Sequence, residues 1–479
     1  MSEALPLFGN RSKLHEPRQE YSKSILAIAF AIFMCILSGV GLAVTKTNAP
    51  VVKLSSDAVE ILPHFGPVQE LQYSGLITVN DAGGNIFYWF FEARKNDLSL
   101  TGIPLIIWLN GGPGASSMTG LMTEMGPYRI DSNGQLTSHP YSWTNVAHML
   151  FFDQPVGTGY TSAKDESGYV NSQEEMAAQL YTALSKFYDL HPEYLSNPIV
   201  IAGESYAGKY VPHIAYFIHK QNQQAKEKKM NLWGIAIGNG EMKPVLQTKS
   251  VADYALALGL IDQEQFQKHQ ISLDNCAQLY NKGQLDEAFN ICQNTEDEIY
   301  NQAGNPFIYD IRQEGNAFNA LTSVLSEYFN MPETRAALNV PQGTHWTSID
   351  GSSYGTNPNA PPIARHLLHD ELRDVPNSIL EDLLNNYQVL FYAGNMDGSS
   401  CNHLGIARVI DQLEWNEAKA YHNAIRLPWK VNGKVAGLVK SVDNMSYVVL
   451  TNSGHLVPTD QPENALDMIT RFINQKAFT

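Results

Sequence analysis

Six short apolar runs punctuate the chain: Leu105–Leu109, Met149–Phe152, Ile199–Ala202, Leu232–Ile237, Val389–Tyr392 and Tyr447–Leu450. Several are apolar at successive positions, which suits central strands of a sheet covered on both faces. Helical patterns fall between some of them, at Glu174–Tyr188, Tyr210–Lys220 and Glu463–Ile473. Buried strands alternating with helices predict an α/β fold. Ahead of them, Tyr73–Val79 and Asn85–Phe91 read as strands of a hairpin turning at Asp81-Ala82-Gly83-Gly84. From about 240 to 375 the strand signal fades, and helical and polar stretches take over. That segment reads as an insertion over one end of the sheet, dividing the core into residues 71–239 and 376–479. Residues 45–70, broken by Pro50, Pro63, Gly66 and Pro67, read as a polar linker.

The composition narrows the function classes. Of 479 residues, 44% are hydrophobic and 17% charged, enough apolar material for a large core. Lys plus Arg number 32 against 48 Asp plus Glu, a formal charge of −16. Such a surface repels phosphate backbones, so no nucleic-acid partner is expected. Four cysteines over this length do not make a disulfide scaffold. No GxGxxG, Walker, HExxH or EF-hand pattern occurs, and neither a cofactor nor a metal is expected. His366, His369 and Asp370 have helical metal-ligand spacing, but no fuller signature joins them. His213 and His219 read as packing or surface residues on a helix.

The N-terminus is a separate matter. Ile25–Val44 is a run of 20 residues without a charge, which spans a bilayer core of about 30 Å as a helix. Arg11, Lys13, Arg18 and Lys23 precede it, whereas only Lys46 and Lys53 follow closely. That bias keeps the polar tail 1–24 in the cytosol and exports the rest. Two forms stay open. One is an uncleaved signal anchor that ties the protein to a membrane. The other is a cleaved signal peptide, for which Gly41-Leu42-Ala43 offers a small-x-small site. Either takes the folded part through the secretory route, anchored or secreted, with lysosome, vacuole and periplasm among the destinations. Disulfides persist there. Asn444-Met445-Ser446 is a glycosylation sequon that a eukaryotic cell would read. Oligomeric state is not legible.

The chemistry concentrates in three places. Ile199-Val-Ile-Ala-Gly-Glu-Ser-Tyr-Ala-Gly208 is a buried strand running into Gly203-x-Ser205-x-Ala207 and then a helix. In a nucleophile elbow, small residues two positions either side of the serine let the backbone turn sharply. A Gly-rich turn with an incidental serine would carry the same short motif. Its partner is upstream: Ile103-Pro-Leu-Ile-Ile-Trp-Leu-Asn-Gly-Gly-Pro-Gly-Ala-Ser-Ser117, a strand ending in a glycine loop. Such loops expose backbone N–H groups to a developing oxyanion. Downstream, Asp397 follows the strand Val389–Tyr392, and His455 follows the strand Tyr447–Leu450. The order Ser, Asp, His is that of a hydrolase whose acid and base sit at strand C-termini.

Together these segments resemble the serine carboxypeptidase family. The specific matches are Trp108–Ser117, Gly203–Tyr210 and Ser453-Gly-His-Leu-Val-Pro-Thr-Asp-Gln-Pro462. Tyr141–Asn145, Asp153–Gly159 and Tyr328–Arg335 match more weakly, and the likeness runs from about Tyr73 to Phe472. The resemblance implies an α/β-hydrolase fold with a mainly helical cap inserted at 240–375. It implies Ser205 as nucleophile, His455 as base and Asp397 as its orienter. It places the oxyanion hole at the amides of Gly112 and Tyr206. It gives recognition of a peptide's terminal carboxylate to Asn110, the Gly111 N–H, Glu124 and Glu204. Two departures stand out. Ala115 occupies a family cysteine position, so a disulfide from that loop is lost. The loop after Asp397 is one residue longer than the family's spacing. Cys401 resembles a family free thiol lining the leaving-residue pocket. Cys276 and Cys292, sixteen positions apart, leave open whether they pair in the cap.

The implied reaction is acyl transfer from a peptide with a free C-terminus to Ser205 and then to water. Glu124 and Glu204 would repel a substrate carboxylate if both were ionised. Sharing a proton, they donate a hydrogen bond to it, which points to activity at acid pH. An acyltransferase passing the acyl group to an alcohol would carry the same triad, and the carboxylate readers argue instead for peptides. A non-catalytic membrane-anchored protein on the same fold would not need an intact triad.

Overall fold

Alternate side chains of each buried strand point to opposite faces, and here both faces are covered. Leu105, Ile107 and Leu109 join one core, whereas Ile106 and Trp108 join the other. The computed structural model describes residues 56–94, 102–225, 229–315, 318–349 and 361–478. The apolar run Ile25–Val44 and the tail before it lie outside the described residues. Among the described residues no helix is long and apolar enough to cross a membrane.

Ten strands form one sheet. They are β1 (Gln72–Thr78), β2 (Asn85–Phe91), β3 (Leu105–Leu109), β4 (His148–Asp153), β5 (Ile199–Ser205), β6 (Leu232–Gly240), β7 (Gln388–Gly394), β8 (Leu427–Val431), β9 (Lys434–Val442) and β10 (Met445–Leu450). Their spatial order is β8-β9-β10-β7-β6-β5-β3-β4-β2-β1. The middle is parallel from β4 through β3, β5, β6 and β7 to β10. Antiparallel hairpins close both sides. Parallel strands need crossovers, and helices supply them. α1 (Gln173–Leu190) starts at Ser172, whose side chain accepts from the Glu175 N–H, with Glu174 and Glu175 in the first turn. It packs against α2 (Ala207–Gln224), which follows β5 directly. α3 (Asn377–Asn386) leads into β7, and α4 (Pro462–Ile473) follows β10.

Two sheet strands, β8 and β9, are not among the apolar runs that mark the sheet. Their residues alternate between exposed and buried because one face of this edge hairpin meets water. The stretch between β6 and β7 is mainly helical. It begins with the helices Pro244–Ala257, Gln263–Asn281 and Leu285–Gln302. The second is opened by a capping box between Asp262 and Gln265. Cys276 and Cys292 join the second to the third in a disulfide, with Cα atoms 5.6 Å apart.

Of the stretch read as a linker, the described part, 56–70, is folded. Val59 and Leu62 are buried with Trp89 and Tyr128. Ile61–Leu62 pairs antiparallel with Gly66–Pro67, and the Val59 N–H donates to the Gln72 carbonyl at 2.9 Å. The breakers Pro63 and Gly66 make a tight turn there. At the sequon, the Asn444 side-chain amide donates to the Leu384 carbonyl at 2.7 Å and to the Tyr387 carbonyl.

Candidate active site

β5 ends at Ser205 and α2 begins at Ala207, so the chain turns within one residue. Ser205 takes φ +63°, a left-handed conformation uncommon for a residue with a Cβ. Strain of this kind persists where surrounding structure over-determines it. A Cβ on Gly203 would lie 2.5 Å from the Leu109 carbonyl oxygen, and one on Gly208 2.5 Å from the Glu241 nitrogen. The small residues around Ser205 are therefore demanded by close backbone approach. Ser205 itself stays partly exposed.

The glycine loop after β3 lies against this turn. A Cβ on Gly111 would sit 2.4 Å from the Tyr206 nitrogen and 2.8 Å from the Ser205 Cβ. Gly112 follows with φ +107°. The loop has no cysteine at Ala115. Instead Ala115 forms a β-bridge with Ile349, the Ser116 N–H donates to the Ser348 carbonyl at 2.9 Å, and the Trp346 indole donates to the Ser116 hydroxyl at 3.1 Å. The stretch between β6 and β7 thus holds the loop that a disulfide would otherwise pin. On the loop's other flank, Ser116 and the Ser117 N–H donate to Asp153, whose carboxyl burial pushes up to about 7.

Asp397 and His455 reach the same sheet edge from β7 and β10, which are parallel neighbours. His455 Nδ1 meets Asp397 Oδ2 at 2.7 Å, and both residues are buried. Asp397 accepts three further bonds: Asn239 Nδ2 at 2.7 Å, Ser399 Oγ at 2.7 Å and the Ser399 N–H at 3.0 Å. Asn239 also accepts the Gly394 N–H at 3.0 Å, so it ties the end of β7 to the carboxylate. Neither Asn239 nor Ser399 was singled out in the sequence. Asn239 stands in Gly238-Asn-Gly240 at a strand end, with φ +39°, and that pattern is its signal. The loop after Asp397 is closed by Ser399 and by Asn402, which caps the following helix. The His455 N–H donates to the Tyr309 carbonyl at 2.8 Å, and the two rings stand 4.7 Å apart. Ser400 gives its N–H to buried Glu296 at 3.0 Å, and burial pushes that carboxyl up to about 8. Cys401 is free and buried beside this loop, and desolvation raises its thiol well above the ordinary range.

Glu124 and Glu204 come together as a fully buried pair. Asn110 Nδ2 donates to Glu204 Oε1 at 2.8 Å, while Asn110 Oδ1 accepts from the Trp108 indole at 2.9 Å and the Gly120 N–H at 3.2 Å. Those two bonds fix which way the amide points. Both Glu124 oxygens and Glu204 Oε2 take no donor among the described residues. Burial raises both carboxyls, and the negative charge of Glu124 raises Glu204 further. The nearby Arg129 guanidinium opposes the rise at Glu124. Two carboxyls so placed hold one proton between them more readily than none.

The helical spacing of His366, His369 and Asp370 serves three separate partners. His366 meets Glu166 at 2.7 Å, His369 lies 3.8 Å from Asp286, and Asp370 accepts from Tyr206 at 2.7 Å.

Comparison with known proteins gives one answer. A family model described as serine carboxypeptidase matches residues 63–475. The probable serine carboxypeptidase CPVL of Mus musculus is 34% identical over 425 residues, covering 86% of this chain and 85% of that one. The venom serine carboxypeptidase of Apis mellifera is 34% identical over 418 residues, covering 85% of each. Among solved structures, Kex1 from Saccharomyces cerevisiae, a prohormone-processing carboxypeptidase, superposes with a TM-score of 0.75 at 25% identity. It covers 85% of this chain and 92% of its own.

Proposed function

The chain belongs to the serine carboxypeptidase family and is a serine-type carboxypeptidase on an α/β-hydrolase fold, and from that premise we propose that Ser205, His455 and Asp397 are its triad. The observation that carries this reading is the 2.7 Å bond between His455 Nδ1 and Asp397, at the sheet edge where the strained Ser205 stands. A proton on Nδ1 donated to Asp397 leaves Nε2 as the base. His455 takes the Ser205 proton, Oγ attacks the last peptide carbonyl, and the amides of Gly112 and Tyr206 receive the oxyanion. Protonated His455 then gives its proton to the departing amino acid, and water releases the acyl group by the same steps in reverse.

Asn110, the Gly111 N–H and the Glu124–Glu204 pair hold the terminal carboxylate, which confines cleavage to the last residue. A raised carboxyl keeps its proton to higher pH, so this donor is present at acid pH and is lost as the pH rises. The helical stretch at 240–375 is the cap over the site. Ser205→Ala should abolish labelling by a fluorophosphonate probe with folding intact, and His455→Ala should lower kcat/KM by about 10⁴. Labelling that persists in Ser205→Ala rules out the nucleophile assignment.

Export fits the same reading. The uncharged run Ile25–Val44 with its basic flank, and a disulfide in the folded part, support passage through the secretory route. N-terminal sequencing of protein from its native cell should start near Val44 for a cleaved signal, or at Met1 or Ser2 for an anchor. Full-length folded protein confined to the cytosol contradicts both.

A further inference from the structure

Tyr206 does two things at once. Its amide is the second oxyanion donor in the reading above, and its side chain runs away from the reaction into a buried polar knot. There the phenol donates to Asp370 Oδ2 at 2.7 Å. The Gln173 amide donates to the same Asp370 oxygen at 2.6 Å and lies 3.3 Å from the phenol. Lys209, one turn along α2, places its ammonium 4.5 Å from the centre of the Tyr206 ring. It also donates to the Asp370 and Glu371 carbonyls, each at 2.7 Å. Tyr206, Asp370, Gln173 and Lys209 are all at least 97% buried. The carboxylate belongs to the short turn Leu368–Asp370, outside every sheet strand, so a segment arriving late in the chain grips the residue just after Ser205.

We infer that Asp370 is a positioning residue for the oxyanion hole: it fixes the Tyr206 side chain and thereby the aim of the Tyr206 N–H. The inference rests on the oxyanion reading of Gly112 and Tyr206. A phenol bonded to a carboxylate is a strong, directional contact. Ser205 already stands in a strained conformation, so the peptide plane that follows it gains little direction from backbone preference alone. Removing Asp370 leaves the phenol buried without its acceptor, and the ring must move to find another. The amide moves with it.

The test uses the full chain and four proteins: wild type, Asp370→Ala, Asp370→Asn and Tyr206→Phe. Each is assayed for kcat and KM on a free-acid peptide, for thermal midpoint, and for inhibition by a peptide aldehyde and by the matching alcohol. The aldehyde forms an oxyanion-bearing adduct with a serine, and the alcohol does not. Asp370→Ala should lower kcat about tenfold or more with KM little changed, a fraction of the 10²–10³ lost with a whole oxyanion donor. Its preference for aldehyde over alcohol should fall by the same factor. Asp370→Asn, which keeps an acceptor oxygen, should recover most of both. Tyr206→Phe should repeat the loss and stays informative if Asp370→Ala does not fold. A lower thermal midpoint with kcat and the aldehyde preference unchanged overturns the inference and leaves Asp370 a structural tie. A wild type that binds aldehyde no tighter than alcohol overturns the oxyanion reading, and the inference with it.

Discussion

On the carboxylate reading proposed above, exopeptidase behaviour turns on a carboxyl that keeps its proton. Burial raises both Glu124 and Glu204, and the charge of Glu124 raises Glu204 further, so a proton that could serve as hydrogen-bond donor is held to higher pH than on a free carboxyl and is lost as the pH rises. Glu204→Gln supplies a permanent amide donor that does not titrate. For a free-acid peptide, wild-type kcat/KM should fall about tenfold or more between pH 5 and pH 8, and the Glu204→Gln profile should be flatter. An amidated peptide, with no terminal charge, should show the smaller pH effect in both proteins. Equal cleavage of both peptides by wild type at pH 5 contradicts the carboxylate reading. At this scale the sequence carried much of the candidate site's geometry. Ser205 and the glycines around it announce themselves because a sharp turn admits few residue types, and the pairing of Asp397 with His455 follows from strand ends in the right order. For Asn239 the Gly-Asn-Gly pattern marks a turn at a strand end but not a partner. Its amide acts through two atoms, one on Asp397 and one on the Gly394 N–H, and only the adjacency of β6 and β7 brings those together.

Among elements, the parallel strands were the most legible, because burial on both faces writes an unbroken apolar run. Leu105–Leu109 was read to the residue, and the Ile199 run proved to extend to Ser205. β8 and β9 were missed for the converse reason: an edge hairpin half open to water carries Lys430, Lys434 and Lys440 among its apolar residues. The helices between β6 and β7 were legible as a helical stretch, but not their attachment to the site. That attachment passes through particular contacts, such as the Tyr300 hydroxyl on the Gly398 carbonyl and Ser400 on Glu296. The disulfide stabilises this helical stretch locally. Cys276 and Cys292 are sixteen positions apart, and a loop of about that size is worth about 3 kcal/mol in the unfolded chain. Cys276→Ser with Cys292→Ser should lower the denaturant midpoint accordingly, with kcat retained well below the transition. An unchanged midpoint counts against a stabilising role.

The whole molecule should prefer acid for a reason separate from catalysis. Asp153 is pushed up to about 7 and Glu296 to about 8, both by burial, while free Asp and Glu titrate near about 4. Between those values the folded chain holds protons at these two carboxyls that the unfolded chain has released, so their contribution to stability is full at low pH and declines through about pH 8, while buried His139, pushed down to about 3, opposes it only below the ordinary histidine value of about 6.5. Thermal unfolding followed by circular dichroism should show a midpoint several degrees higher at pH 5 than at pH 8. A midpoint that rises toward pH 8 would refute the sign. The strand order has a consequence in time as well. β10 lies inside the sheet between β7 and β9, yet of the ten strands it is the last along the chain. His455 comes 250 positions after Ser205. At about 5–20 residues per second, translation separates them by about 12–50 s. If Ser205 and His455 act as proposed, through that interval the growing polypeptide has a nucleophile and no base, and a gap where an interior strand belongs. A chain still being made is therefore no threat to the C-termini around it.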